Sequence, residues 1–222
     1  MKQRTLYLSL LIIAVATPIV SVFSSTTTSI QVFFSPEDHL TEKLITKIKE
    51  AEHKIWAAVY MITDKRIANA LIEAKNRGID VQIVTDAITQ ESMYGKAHML
   101  TEAGVNVRVF SVPSWSSTDK KKKLTRDLTK TWNNAPIMHN KFAIIDNIVW
   151  SGSFNWTVAA NRKNRENATV IDDKVMLLKF CTEFSRLKHQ SVPQEDWTNI
   201  RSLVSIVKEM FTKDSDLDIK NN

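Results

Sequence analysis

The chain has 222 residues, of which 43% are hydrophobic and 24% charged, with a formal net charge of +6. This balance excludes a disordered or low-complexity chain and leaves room for one large domain or two small ones. The lone cysteine, Cys181, excludes an internal disulfide, and the basic balance favours anionic partners such as nucleic acid or acidic lipid.

From the N-terminus, Lys2 and Arg4 precede an uncharged stretch from Leu6 to Phe23, and a run of serine and threonine follows. A basic start, an apolar centre and the small residues Val22 and Ser24 predict an export signal over residues 1–24, with Ala14 and Ala16 as a second cleavage option. An uncleaved anchor is the alternative, because about 18 apolar residues suffice to cross a bilayer. Pro18 and the serine and threonine content favour cleavage. The chain is therefore expected in the periplasm or secreted, with attachment to a membrane by residues 6–23 as the alternative.

One folded domain is expected over 30–212, followed by a polar tail at 213–222. "IQVFF" reads as a first strand, and Ser35-Pro36 as a helix N-cap followed by a first-turn proline. Leu40, Leu44, Ile45 and Ile48 then share one helical face. "KIWAAVYMI" is a second strand; Asp64 caps a helix with Ile67, Leu71 and Ala74 inward, and Gly78 ends it. "DVQIVTD" is a third strand, a helix runs through Met99 and stops near Gly104, and "NVRVF" is a fourth strand. This alternation predicts a mixed, largely parallel β-sheet with helices on both faces.

Residues 111–136 break the rhythm. They carry Lys120, Lys121, Lys122, Lys123, Arg126 and Lys130, flanked by Trp115 and Trp132, without an apolar period. Long loops of this kind are functional or disordered, so the lysines and tryptophans are candidates for a substrate groove, against the plainer reading of a solvated insertion. "KFAIID" and "IVWSG" follow as strands joined through Asp146-Asn147, and "NATVI" as another. A helix from Asp173 to Gln190 places Leu177, Cys181 and Phe184 on one stripe, so Cys181 reads as a buried hydrophobe, and a last helix starts near Glu195. Trp150 and Trp156 read as packing residues.

The chemistry gathers in "MHNKFAIIDNIVWSGSFNWT". Strand alternation projects His139 and Lys141 to one side, and Ser153 and Asn155 follow the partner strand with the same spacing. An imidazole, an ammonium, a hydroxyl and an amide converging on one volume suit an anionic tetrahedral group: the lysine supplies charge, the others directed donors, and the imidazole is free to attack or move a proton. The histidines are scattered without ligand spacing, so no metal site and no cofactor is expected.

The pattern His139-x-Lys141-x4-Asp146 with Gly152-Ser153-x-Asn155 resembles the signature of the phospholipase D superfamily. It is most similar to the small branch with one motif per chain, bacterial nucleases and mitochondrial cardiolipin hydrolases, over about Val32 to Ile171. The resemblance implies a phospholipase D-like fold with one half-site per chain. It also implies metal-independent cleavage of a phosphodiester through a phosphohistidine on His139. Lys141, Ser153 and Asn155 match the residues that hold phosphate oxygens, and Glu166 matches the acid that orients the histidine. Asp146 belongs to the signature and stands with His139, Lys141 and Glu166 as a candidate catalytic residue, although a brace for the hairpin turn is the reading preferred over a chemical role.

Such a mechanism uses two histidines, and none of His39, His53, His98 and His189 has a lysine two residues on. A homodimer is therefore expected, with two His139 side chains around one phosphate. The substrate is expected to be nucleic acid, DNA or RNA, on the strength of the basic, tryptophan-flanked insertion. Anionic membrane lipid is the alternative, and a catalytically silent nucleic-acid-binding protein is the reading from another class.

Overall fold

The computed structural model describes residues 28–110, 136–199 and 202. The expected signal or anchor, the insertion up to residue 135, the tail and most of the expected last helix lie outside the described residues. Among them fall Trp115, Trp132 and the four lysines Lys120 to Lys123.

Strands β1 (Ser29–Phe34), β2 (Lys54–Val59), β3 (Asp80–Asp86), β4 (Asn106–Phe110), β5 (Lys141–Ile145), β6 (Ile148–Gly152), β7 (Asn167–Asp172) and β8 (Ser191–Pro193) form one eight-stranded sheet in the order β1-β7-β6-β5-β2-β3-β4-β8. The helices are α1 (Leu40–Glu50), α2 (Lys65–Asn76), α3 (Ala87–Glu91), α4 (Ala97–Glu102), α5 (Val158–Arg162) and α6 (Lys174–His189).

Period-2 alternation in the central strands feeds two cores. Ile55, Ala57 and Val59 of β2 and Val81 and Ile83 of β3 pack with Leu40, Leu44 and Ile48 of α1 and Ile67, Leu71 and Ala74 of α2. Ala58, Val84, Phe142 and Ile144 point the other way, against Phe184 and Leu187 of α6, with Leu177, Phe180 and Cys181 at the margin. Each fully buried leucine or isoleucine stabilises the fold by about 1.5–3 kcal/mol. Helices therefore cover both faces of a mixed sheet.

Asp64 caps a helix as the sequence indicates, and Asp173 caps another. The Asp64 carboxylate accepts from Arg66 N at the start of α2, and the Asp173 carboxylate accepts from Met176 N at the start of α6. Gly78 follows α2 with φ 90°, a conformation that costs glycine nothing. Trp150 and Trp156 are fully buried.

Expectations change at four points. Parallel pairing is confined to β2/β3 and β3/β4, and the other five neighbouring pairs are antiparallel. β1 does not neighbour β2: it crosses to the far edge and pairs with β7, where Phe33 stacks on Trp150 with ring centroids 6.4 Å apart. Ser35 is not an N-cap, because α1 begins only at Leu40 and the serine hydroxyl is engaged elsewhere. The single helix expected through Met99 is two short ones, broken where Lys96 N donates to Ile62 O at 3.0 Å and ties the segment back to the end of β2.

Candidate active site

The site lies at the end of the sheet where β2 and β6 finish and β5 begins. Two backbone contacts hold the segment before β5. Met138 N donates to the buried Asp86 carboxylate at 2.8 Å, and Tyr60 N donates to Asn140 O at 2.8 Å. His139 is thus gripped on both sides while its own side chain is exposed. Its ring leans on the Tyr60 ring, with centroids 4.5 Å apart and planes at 54°.

Lys141 is 7% exposed. Its ammonium donates to His139 O at 2.6 Å and lies 2.9 Å from His139 Nδ1, with the Tyr60 ring centroid 5.0 Å away. Burial lowers its pKa from the ordinary lysine value, and the charge of Glu166 works in the opposite direction. A protonated lysine makes Nδ1 an acceptor, so a neutral imidazole in this geometry carries its proton on Nε2.

Phe142 pairs with Ser151 across β5 and β6. Continuing that register brings Ser153 to the same sheet end as His139, about 4.8 Å across in the hydrogen-bonding direction. Gly152 makes the approach of β7 possible, because a Cβ there would overlap Asn167 O. Ser153 Oγ consequently donates to Glu166 Oε2 at 2.6 Å and accepts from Asn167 N at 3.1 Å. The other Glu166 oxygen accepts from Asn164 Nδ2 at 3.0 Å. Ser35 clamps the Glu166 backbone, donating from its N to Glu166 O at 2.9 Å and accepting Glu166 N on its hydroxyl at 3.1 Å. Asn155 Oδ1 is buried and lacks a hydrogen-bond partner among the described residues.

The structure therefore gathers His139, Lys141, Ser153 and Glu166 along one sheet end. Glu166 faces Ser153 and Asn164, while the imidazole Nδ1 faces Lys141. Asp146 lies at the opposite end of β5. At φ 50° it turns the hairpin, and its carboxylate accepts from Glu52 N, His53 N and Lys54 N at 2.8, 2.9 and 2.9 Å. Burial disfavours its charge, but those three donors outweigh burial and hold its pKa below the usual aspartate value. Tyr60, Asp86, Asn164 and Ser35 support the site without standing in the motif. Asp86 carries a local signal, an aspartate between strand and helix, and Asn164 bonds Glu166 two residues on, whereas Tyr60 and Ser35 act through distant pairings.

Among the described residues no second imidazole is in hydrogen-bond or ring contact with His139, and no three His, Cys, Asp or Glu side chains gather as a metal-binding group. An ammonium beside an imidazole, with a hydroxyl and a carboxylate alongside, can bind a tetrahedral anion and present a nitrogen to it.

A family model described as "Cardiolipin synthase, PLD-like domain" matches residues 44–188. A phospholipase D of Rickettsia typhi is 31% identical over 161 residues, covering 72% of this chain and 68% of its own. A mitochondrial cardiolipin hydrolase of Xenopus tropicalis is 28% identical over 157 residues, covering 70% of this chain and 64% of its own. The crystal structure of Nuc from Salmonella typhimurium, a phospholipase D family member, matches with a TM-score of 0.61 at 31% identity, covering 75% of this chain and 98% of its own.

Proposed function

The chain belongs to the phospholipase D superfamily of phosphodiester hydrolases, and from that membership we propose that it cleaves its substrate without a metal ion, at a site pooled by two copies. The observation that carries this is the buried Lys141 ammonium held against the exposed His139 imidazole, with the Ser153–Glu166 pair on the neighbouring strands. An ammonium kept from water in this way has its strongest use in neutralising a phosphate.

In the proposed reaction, His139 Nε2 forms a bond to phosphorus while the bond to the leaving alcohol oxygen breaks. That oxygen takes a proton from His139 of the partner subunit. Water then attacks the phosphohistidine, the P–N bond breaks, and the water proton returns to His139 of the partner subunit. Lys141, Ser153 and Asn155 hold the phosphate oxygens, each donor contributing about 3 kcal/mol. Attack through Nε2 requires the proton on Nδ1, so Lys141 must move from Nδ1 to the phosphate. Glu166, which matches the family's histidine-orienting acid, then accepts Nδ1–H once Ser153 turns its hydroxyl to substrate.

The substrate read first is a polynucleotide, supported by the net charge of +6 and the lysine-rich segment at Lys120 to Lys123. Phosphatidyl lipid is the second reading, favoured by an exposed apolar row on β1, Ile30, Val32 and Phe34. We also place the protein outside the cytosol through its uncharged stretch Leu6 to Phe23, cleaved or retained as an anchor.

The test is hydrolysis, in excess chelator, of an aryl phosphodiester, single-stranded DNA, RNA and anionic phospholipid vesicles, each beside His139→Ala. Turnover of the aryl diester that survives chelator and vanishes in the variant supports the chemistry; loss of wild-type turnover in chelator refutes it. The polymer or vesicle turned over fastest assigns the substrate.

A further inference from the structure

A groove of about 250 Å³ opens beside the Ser153–Glu166 pair, lined by Phe34, Ser35, Glu37, Arg165, Glu166 and Asn167. We propose that it receives a nucleobase adjacent to the scissile phosphate, an inference that rests on the polynucleotide reading above. Strand order fixes the location. β5, β6, β7 and β1 are successive neighbours, so the sheet end runs from His139 and Lys141 through Ser153 to Glu166 and then to Phe34. Two to three strand spacings, about 10–14 Å, separate the ammonium from the groove. A phosphate held by Lys141 and Ser153 therefore directs one of its two substituents towards β1.

The lining decides what that substituent is. Phe34 is 56% exposed and offers an aromatic ring at the edge of the sheet. Opposite chemistry comes from Arg165 and Glu37, whose side chains pair at 3.0 Å while remaining 75% and 65% exposed. A pair so exposed is worth little to the fold and is free to exchange partners. It presents guanidinium donors and carboxylate acceptors together, beside the Asn167 residue that pairs with Phe34 across the strands.

A planar heterocycle with donors and acceptors on its rim matches both walls: its face stacks on the ring and its edge meets the ion pair. An acyl chain would have to cover the ion pair and desolvate it without offering any hydrogen bond. Were the substrate lipid, its chains would instead follow Val32 and Ile30 down β1, away from Arg165. The aromatic wall is common to both routes, and Arg165 and Val32 distinguish them.

The experiment measures KM and kcat on single-stranded oligonucleotide, aryl phosphodiester and anionic phospholipid vesicles for the full chain and for Phe34→Ala, Phe34→Trp, Arg165→Ala and Val32→Asp. The expected result is a rise in oligonucleotide KM of about 5- to 150-fold in Phe34→Ala, the equivalent of one lost stacking contact. Phe34→Trp restores it, Arg165→Ala raises it in the same direction, Val32→Asp leaves it unchanged, and aryl diester turnover is unaffected throughout. Equal loss on the aryl diester overturns the inference, because the residues are then structural. Wild-type cleavage of oligonucleotide with Phe34→Ala unaffected removes the groove and spares the polynucleotide reading. A wild type that cleaves vesicles and no polynucleotide, with Val32→Asp impaired, removes both.

Discussion

Replacing Asp146 by alanine separates the two roles that a residue of the family signature could have. Its carboxylate takes three backbone N–H groups at 2.8, 2.9 and 2.9 Å, closing the loop after α1 onto the β5–β6 turn. Hydrogen bonds to a charged group contribute about 1.5–3 kcal/mol each when sheltered. Glu52 and His53 are exposed and water replaces their bonds, so the half-buried Lys54 N–H carries most of the loss and the total is about 3 kcal/mol. For a domain of this size that lowers Tm by about 6–12 °C. Asp146 lies five strand residues from Lys141, about 17 Å, so kcat on an aryl phosphodiester should stay within about twofold when measured well below the new midpoint. The pH dependence has a definite sign. The folded pKa is depressed, so the stabilisation is present above the unfolded value of about 3.9 and is lost as pH falls through the folded one. The stability gap between wild type and Asp146→Asn should narrow on acidification below that range. Thermal denaturation across pH and steady-state kinetics read both quantities. An unchanged midpoint, or a folded Asp146→Ala with kcat down about a hundredfold, would refute the assignment of Asp146 to the fold.

Three further outcomes follow from the site. Imidazole 15N shifts should place the His139 proton on Nε2 in the free protein and on Nδ1 once inorganic phosphate or vanadate draws Lys141 away; an Nδ1–H tautomer in the free protein contradicts the Lys141 contact. Activity should fall at alkaline pH below the ordinary lysine value, because burial lowers the Lys141 pKa. Glu166→Gln, by removing the charge that raises it, should move that limb to still lower pH, and a limb that stays fixed would show that Lys141 does not govern it. Mixed dimers of wild-type and His139→Ala chains should lose at least about tenfold in kcat, so a mixed dimer as active as wild type would remove the pooled site.

Much of this was legible in local sequence. β3 over Asp80–Asp86 and β4 over Asn106–Phe110 have the limits their apolar runs suggest, and α6 lies between Asp173 and Gln190 because a capping carboxylate starts it and its apolar stripe keeps one phase. Partners distant in sequence were not legible. Nothing near Ile30 says that β1 belongs beside β7, since that choice is made by Phe33 packing on a tryptophan well over a hundred residues away. β8 is three residues long, too short for a period to register, and is held by pairing with β4. The motif named the groups proposed to react, while the pairing of Glu166 with Ser153, the grip of Asp86 on Met138 and the ring of Tyr60 under His139 depend on which strands adjoin.

Those nonlocal contacts divide the site into unequal halves. Ser153, Asn164, Glu166 and Ser35 hold one another through five hydrogen bonds between 2.6 and 3.1 Å, a half already built before substrate arrives. On the other half His139 is exposed, with its Nδ1 occupied by the Lys141 ammonium. In the proposed reaction phosphate displaces that contact and the Ser153–Glu166 bond together: the lysine and hydroxyl go to phosphate oxygens, which frees the imidazole nitrogen and the carboxylate oxygen. Binding energy from the rest of the substrate can drive this exchange, which ties chemistry to recognition beyond the phosphate. A bare phosphodiester should therefore be turned over more slowly than a substrate that also fills the groove at Phe34, with the difference falling on kcat as well as KM.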